Sequence, residues 1–156
     1  MINEKVVNLL KSNKLSISTA ESVTGGKIIS QIIEIPGASN ITEESYVVYS
    51  NNAKIKVLGV DKSCIDKNGV VSEQLALEMA EKLKSITGSD IAISTTGEAG
   101  PITNELNISI GTVCFGLIIG KDKYTFTKKF TGDRISIINQ SVTFILNQLY
   151  GILKDR

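Results

Sequence analysis

The run Thr19-Ala-Glu-Ser-Val-Thr-Gly-Gly26 places a serine and two glycines where a predicted strand passes into a predicted helix. The strand is the alternating run Leu15-Ser-Ile-Ser-Thr19, and the helix is the apolar run Lys27-Ile-Ile-Ser-Gln-Ile-Ile-Glu-Ile35. Free backbone N–H groups at such a junction can hold an anion, or stabilise negative charge that develops during a reaction. Ser22 is therefore a candidate nucleophile. The alternative is structural: Ser22 or Thr24 caps the helix, and the glycines only form a tight turn.

The composition predicts one soluble globular domain over residues 1–156, with 42% apolar and 21% charged residues. The net charge is +1 and the basic residues are scattered, so we expect no nucleic-acid partner. No apolar run is long enough to span a membrane, and the N-terminus lacks the apolar core of a signal peptide. Cys64 and Cys114 lack the spacing of a metal site or a disulfide framework, which favours the cytoplasm.

The chain contains no histidine. This excludes a Ser-His-Asp triad and any metal site with histidine ligands. We therefore expect neither a metal nor a cofactor. A serine nucleophile in this chain would need lysine, aspartate, glutamate or tyrosine as its base.

The remaining pattern predicts helices and strands in alternation. Helices are predicted at 2–13, 51–58 and 72–86 and from residue 135 onward, and strands at 45–49, 90–95, 110–119 and 123–130. The last two strands are predicted to form a hairpin through Gly120-Lys-Asp122, residues 61–69 to form a polar connection, and residues 96–109 to form a long loop. This order favours an α/β fold whose mixed sheet carries helices on both faces.

Four segments stand where ligand sites form in such folds. Segments 22–26, 49–54 and 96–101 each follow a predicted strand, and segment 131–134 leads into the last helix. Loops beyond the carboxyl ends of the strands build the ligand site in open α/β sheets. The sequence therefore predicts that these segments converge on one site.

In this order the segments resemble the C-terminal domain of the CinA family, which includes stand-alone nicotinamide-nucleotide amidases. The resemblance covers nearly the whole chain and rests on Ala20-Glu-Ser-Val-Thr-Gly-Gly26, Pro36-Gly-Ala-Ser39, Val48-Tyr-Ser-Asn-Asn-Ala-Lys54, Gly69-Val-Val-Ser-Glu73, Thr96-Gly-Glu-Ala-Gly-Pro101, Gly111-Thr-Val113 and Gly132-Asp-Arg134. It implies a three-layer α/β/α sandwich and self-association into a dimer or larger homo-oligomer. Some family members carry an additional N-terminal domain that we do not expect here.

The resemblance also implies an activity, the hydrolysis of nicotinamide mononucleotide to nicotinate mononucleotide and ammonia in pyridine nucleotide salvage. It implies a Ser-Lys mechanism, carried onto Ser22 and Lys54. A lysine base needs a lowered pKa, and the apolar segment before Lys54 favours burial of the amine. Lys56 should face elsewhere on the helix. Tyr49 is a candidate to orient the amine or relay a proton, against the alternative of core packing.

Substrate contacts are predicted at seven positions: Thr24, Gly25, Gly26, Thr96, Gly97, Gly100 and Arg134. The first three would offer backbone N–H groups to an oxyanion. The next three lie in the loop that begins at a strand end. Arg134 would bind the phosphate through two parallel hydrogen bonds, and its alternative role is a salt bridge with Asp133 or another acid.

The chain departs from the usual family pattern at two places. Val23 stands where cysteine is common, and the loop 98–109 lacks the usual Asp-Gly-Gly and Lys-Pro, while Glu98 adds a negative charge. These departures leave two alternatives open: an amidase with a changed substrate, and a catalytically weak relative that binds a nucleotide or a partner protein. A phosphate-dependent enzyme is disfavoured, because there is no Walker-type Gly-Lys-Ser/Thr and no carboxylate cluster for magnesium.

Overall fold

Five strands form one mixed sheet in the structure, a computed structural model that describes residues 1–102 and 108–156. The strands are β1 Ile17–Glu21, β2 Tyr46–Val47, β3 Ile91–Gly97, β4 Thr112–Ile119 and β5 Asp122–Lys129. Their order across the sheet is β2-β1-β3-β4-β5. The first three strands are parallel, and β4 and β5 each run antiparallel to the preceding neighbour, as the predicted hairpin requires.

Helices cover both faces of this sheet. They are α1 Ile2–Asn13, α2 Lys27–Ile33, α3 Asn51–Ala53, α4 Lys62–Asn68, α5 Glu73–Thr87 and α6 Arg134–Leu153. Helix α3 continues directly into a π-helical turn, Lys54–Leu58. Helices α1, α2 and α6 pack together on one face, while α5 packs on the other with α4 and the π-helical turn. The predicted mixed α/β fold is therefore confirmed.

The central strands are buried on both faces because their side chains alternate between two cores. In β4, Phe115 and Leu117 belong to the core under α6, whereas Ile118 belongs to the core under α5. Strand β1 is buried at all five positions. It begins and ends two residues later than the predicted 15–19, because Ile17 pairs with Ile91 at the start of β3. Glu21 therefore lies in the sheet.

The predictions for residues 45–69 were partly wrong. Strand β2 is only two residues long. The helix that follows is capped by Ser50, whose Oγ accepts the N–H of Ala53. The expected polar connection 61–69 forms α4, capped by the Asp61 side chain. Only Ile65 is buried in α4, so no apolar periodicity marked it as a helix.

Helix α5 forms where the sequence predicts a helix, at 72–86. Ser72 caps α5 through its Oγ, and Gly88 ends that helix in the left-handed conformation. The loop 98–109, which departs from the usual family pattern in sequence, includes residues 103–107, and these lie outside the described residues.

In the described ranges 1–102 and 108–156, none of the helices is long and apolar enough to cross a membrane.

Helix α5 packs directly on the backbone of β4 at Gly116. A Cβ at Gly116 would lie 2.4 Å from the carbonyl oxygen of Ala76 in α5, so only glycine fits here. We expect Gly116→Ala to destabilise the fold by about 1–3 kcal/mol, because the helix must move away from the sheet. Chemical denaturation measures this change in the free energy of unfolding.

Gly151 is the matched control, because nothing lies within 4 Å of a Cβ built there. Gly151→Ala in α6 should be neutral or stabilise the protein by up to about 1 kcal/mol through helix propensity. Equal stability of the Gly116→Ala variant and the wild type would contradict the close contact.

Candidate active site

The carboxyl ends of β1, β2 and β3 lie at one edge of the sheet because these strands are parallel. The chain leaves β1 through α2 on one face and returns to β3 through α5 on the other face, which leaves a crevice between β1 and β3. A cavity of about 290 Å³ opens at this edge, and Ser22, Tyr49, Gly97 and Arg134 are among its lining residues. The predicted convergence of the four segments is therefore confirmed.

Lys54 is fully buried and reaches Ser22. Its Nζ donates to Ser22 Oγ at 2.9 Å and to the carbonyl oxygen of Tyr49 at 3.2 Å. Ser22 Oγ lies 3.3 Å from the same carbonyl, to which it donates its own hydrogen. The serine hydroxyl and the lysine amine are thus held together by one backbone acceptor, and the predicted pair is brought together.

The π-helical turn explains how the lysine comes to face inward. Lys54 and Leu58 are the buried residues of this turn, while Lys56 between them is exposed, as predicted. Local π-helical turns are rare and occur often at functional sites. The turn thus directs one lysine into the protein and the other into solvent.

Burial lowers the pKa of the Lys54 amine from its ordinary value of 10.5 to about 8. None of the salt bridges among residues 1–102 and 108–156 involves Lys54, so no carboxylate offsets the loss of hydration. A fraction of the amine is therefore neutral near neutral pH. A neutral amine has a lone pair that can accept the hydroxyl proton of Ser22 across the 2.9 Å contact.

Tyr49 contacts the Lys54 amine with its main chain, while its side chain lies at the protein surface. Its side chain is 61% exposed, so it does not pack in the core. Its hydroxyl accepts a hydrogen bond from Arg134 Nη2 at 2.8 Å. The part of Tyr49 that orients the Lys54 amine is the backbone carbonyl, which any residue would supply. The contact of Tyr49 with the Lys54 amine is thus made by the main chain, and a proton relay through the phenol stays a prediction.

Arg134 lies at the rim of the cavity, in the first turn of α6. Its Nη1 donates to the carbonyl oxygen of Gly100 at 2.7 Å, and its Nη2 donates to Tyr49. The guanidinium thus links two of the predicted segments. The alternative salt bridge with Asp133 is wrong, because the Asp133 carboxylate caps α6 by accepting the N–H of Ser136 at 2.8 Å.

Glu21 is the residue that sequence reasoning missed. Helix α2 begins after Gly26, which has no side chain to cap it. The fully buried Glu21 carboxylate instead accepts the N–H groups of Ile28 at 2.9 Å and Ile29 at 3.0 Å. The protein's own carboxylate therefore occupies the helix N-terminus that was expected to hold an external anion. The only signal in the sequence is an acidic residue at the end of an otherwise uncharged strand.

The glycine turn offers fewer donors than predicted. The N–H of Gly25 donates to the carbonyl oxygen of Ser22 at 3.1 Å, so it is already used inside the turn. In the part of the chain that the structure describes, the N–H groups of Thr24 and Gly26 have no such acceptor. Gly26 has φ +95°, and a Cβ there would lie 3.3 Å from Val47, which together favour glycine.

Two threonines predicted to contact substrate are turned into the protein. Thr24 is 2% exposed, and its Oγ1 donates to Glu21 at 2.7 Å. Thr96 is fully buried, and its hydroxyl donates to the carbonyl oxygen of Val70. Gly97 does line the cavity, and its close packing on Val113 leaves no room for a side chain. The hydroxyl groups of both threonines are thus engaged inside the protein, and the substrate contacts expected of Thr24 and Thr96 stay predictions.

No metal site is evident in the described ranges. Within residues 1–102 and 108–156, no group of three or more aspartate, glutamate or cysteine side chains could hold a metal ion. Cys64 and Cys114 are both free thiols. The groups at the cavity include the Ser22 hydroxyl, which the buried Lys54 amine contacts.

The lowered pKa of Lys54 also predicts how stability depends on pH. A folded-state pKa of about 8 against 10.5 means that the charged amine opposes folding at every pH below about 8. This cost disappears as the pH rises from about 8 to 10.5, because the amine then becomes neutral in the unfolded chain as well. At pH 7, Lys54→Met should therefore raise the free energy of unfolding by up to about 3 kcal/mol.

Denaturation of both proteins between pH 6 and 10 measures this difference, which should shrink above pH 8. Lys56→Met is the control, since Lys56 is exposed and its removal should change stability little at any pH. A Lys54→Met variant less stable than the wild type throughout would mean that the contacts of the amine outweigh its burial.

Comparisons with known proteins point to one family. The model of the CinA C-terminal domain matches residues 1–153. A CinA-like protein of Petrotoga mobilis is 40% identical over 148 residues, which cover 95% of this chain and 36% of that protein. A CinA-like protein of Thermotoga maritima is 41% identical over 155 residues, which cover 99% of this chain and 38% of that protein. The chain thus spans little more than a third of the length of these curated relatives.

Solved structures agree with these matches. A competence or damage-inducible protein from Enterobacter asburiae superposes with a TM-score of 0.94 at 33% identity, over 97% of this chain and 96% of that chain. A competence-damaged protein (CinA) superfamily protein from Escherichia coli superposes with a TM-score of 0.92 at 31% identity, over 95% of this chain and 86% of that chain.

Proposed function

Because the chain belongs to the CinA C-terminal domain family, we propose that it is an amidohydrolase that converts nicotinamide mononucleotide to nicotinate mononucleotide and ammonia. One observation carries the proposal. The buried Lys54 amine, with a pKa of about 8, lies 2.9 Å from the hydroxyl of Ser22 at the floor of a cavity. A serine with an adjacent neutral base is the arrangement required for nucleophilic attack on an amide.

In the proposed reaction, neutral Lys54 takes the proton of Ser22 Oγ as the oxygen attacks the carboxamide carbon. The N–H groups of Thr24 and Gly26 stabilise the oxyanion that forms. The protonated amine then gives its proton to the departing nitrogen, and ammonia leaves an acyl-enzyme. Lys54 next takes a proton from a water molecule that attacks the acyl carbon, and it returns this proton to Ser22 Oγ as the ester bond breaks and the carboxylic acid leaves. The carbonyl of Tyr49 holds the amine in place through these steps.

The charges around the cavity suit the proposed substrate. Arg134 at the rim can exchange its contacts with Gly100 and Tyr49 for two bonds to a phosphate. Glu98 also lines the cavity and suits a positively charged pyridinium ring. Under the same proposal the protein acts in the cytoplasm as a homo-oligomer, without a metal or a cofactor. Light scattering in solution tests the homo-oligomer.

A second candidate is a weakly catalytic protein that binds a nucleotide or a partner protein, or an amidase for a different substrate. The observation that favours it is the sequence of the loop 98–109, which lacks the Asp-Gly-Gly and Lys-Pro usual in the family. Ammonia release from nicotinamide mononucleotide, nicotinamide riboside and nicotinamide distinguishes these functions. A preference for the mononucleotide supports the phosphate contact. Equal rates for all three, or tight binding without ammonia release, support the second candidate.

Ser22→Ala tests the nucleophile. We expect kcat for ammonia release to fall by about a thousandfold or more, because no other hydroxyl replaces Ser22 Oγ beside the amine. Ser39→Ala is the control, since Ser39 is exposed and lies outside the cavity. Activity of Ser22→Ala within a few-fold of the wild type would rule out the serine mechanism.

The pH dependence tests the base. Below about pH 8 the rate should rise nearly tenfold per pH unit, and above it the rate should level off, because only the neutral amine accepts the proton. Lys54→Arg should be nearly inactive at every pH, since a guanidinium stays charged. Lys56→Met should keep the wild-type profile. A flat profile from pH 6 to 9, or an active Lys54→Arg variant, would show that Lys54 is not the base.

A further inference from the structure

A chain of hydrogen bonds links the buried Glu21 carboxylate to the backbone of Ser22. Glu21 Oε1 accepts from Thr24 Oγ1 at 2.7 Å, and Thr24 Oγ1 lies 2.9 Å from Thr95 Oγ1. Thr95 Oγ1 in turn accepts the N–H of Ser22 at 3.3 Å. Every residue of this chain is buried, with at most 7% of its surface exposed. Water therefore has little access to replace any of these contacts.

The direction of each hydrogen bond follows from the carboxylate. Glu21 accepts four hydrogen bonds, from Thr19, Thr24, Ile28 and Ile29, so it has no hydrogen to donate toward Thr24. Thr24 must give its single hydroxyl hydrogen to Glu21. Thr95 must therefore donate to Thr24, and its oxygen is left to accept the N–H of Ser22. One buried charge fixes the orientation of both hydroxyl groups.

Ser22 lies one residue beyond β1, where the regular strand pairing ends. Its N–H is held by Thr95 twice, by the carbonyl oxygen at 3.1 Å and by the hydroxyl. The backbone of Ser22 carries the Oγ that must meet the Lys54 amine. A shift of about 1 Å at such a contact can cost roughly a hundredfold in rate.

We propose that Thr95 is a positioning residue for the nucleophile, through which Glu21 and Thr24 hold the Ser22 backbone in reach of Lys54. The inference rests on the proposed role of Ser22 as nucleophile. The hydrogen bonds of the Thr95 hydroxyl go to Ser22 and Thr24, and Thr95 is not among the residues that line the cavity. Its removal should therefore slow the reaction of Ser22 while substrate binding is kept.

Thr95→Val tests this role, because valine keeps the shape of threonine and removes the hydroxyl. Two rates are measured: ammonia release from nicotinamide mononucleotide, and covalent labelling of Ser22 by phenylmethanesulfonyl fluoride, followed by mass spectrometry. We expect Thr95→Val to lower kcat and the labelling rate at least tenfold, with KM within about threefold of the wild type. Thr95→Ser restores the hydroxyl and should bring both rates back to within about threefold.

Ser94→Ala is the matched control for loss of stability. Ser94 is the preceding residue of β3, faces the opposite side of the sheet, and donates to the carbonyl oxygen of Ala76. It should lower the melting temperature as Thr95→Val does, and leave the labelling rate unchanged. A Thr95→Val variant that is labelled as fast as Ser94→Ala would overturn the inference.

The labelling rates test the role of Thr95 independently of the proposed substrate. Wild-type protein that is labelled at Ser22 but releases no ammonia from the mononucleotide would refute the proposed activity, and the labelling rates alone would still decide the role of Thr95. Wild-type protein that is not labelled at Ser22 would count against a reactive serine, and the inference would fall with it.

Discussion

The contact between the Lys54 amine and the Ser22 hydroxyl is the interaction on which the site depends. An amine without a carboxylate partner gains reactivity from burial, and it weakens the fold for the same reason. The surrounding structure must therefore hold Lys54 inside. It does so with the π-helical turn and with a single carbonyl oxygen, that of Tyr49, which accepts from both members of the pair.

At the start of α2, the Glu21 carboxylate accepts the backbone N–H groups that no capping residue satisfies. The glycines that allow the turn cannot cap the helix, and the carboxylate from the adjacent strand does so instead. A buried charge with four hydrogen-bond donors is well compensated, and it is sensitive to any change in those donors. The strand, the turn and the helix are thus joined by one side chain that stands directly before the proposed nucleophile.

Much of the fold and the central pair could be predicted from the sequence, because both leave local signals. Ser72 and Gly88 bound α5, three of the four segments follow strand ends, and all four stand in the order typical of the family. What could not be predicted depends on contacts between distant residues. Nothing near Thr96 indicates that its hydroxyl turns to Val70, and nothing near Tyr49 indicates that Arg134 binds its phenol. Helix α4 was missed because it buries almost nothing.

The two edges of the sheet have a consequence for how copies of this protein can meet. Strand β2 is two residues long, too short to template another strand. Strand β5 carries exposed Lys123, Lys128 and Lys129, whose charges repel the same edge of a second copy. Edges of this kind oppose strand addition and the fibrous aggregation that it starts. Contacts between copies of this protein would therefore use helical or loop surfaces rather than the edge strands.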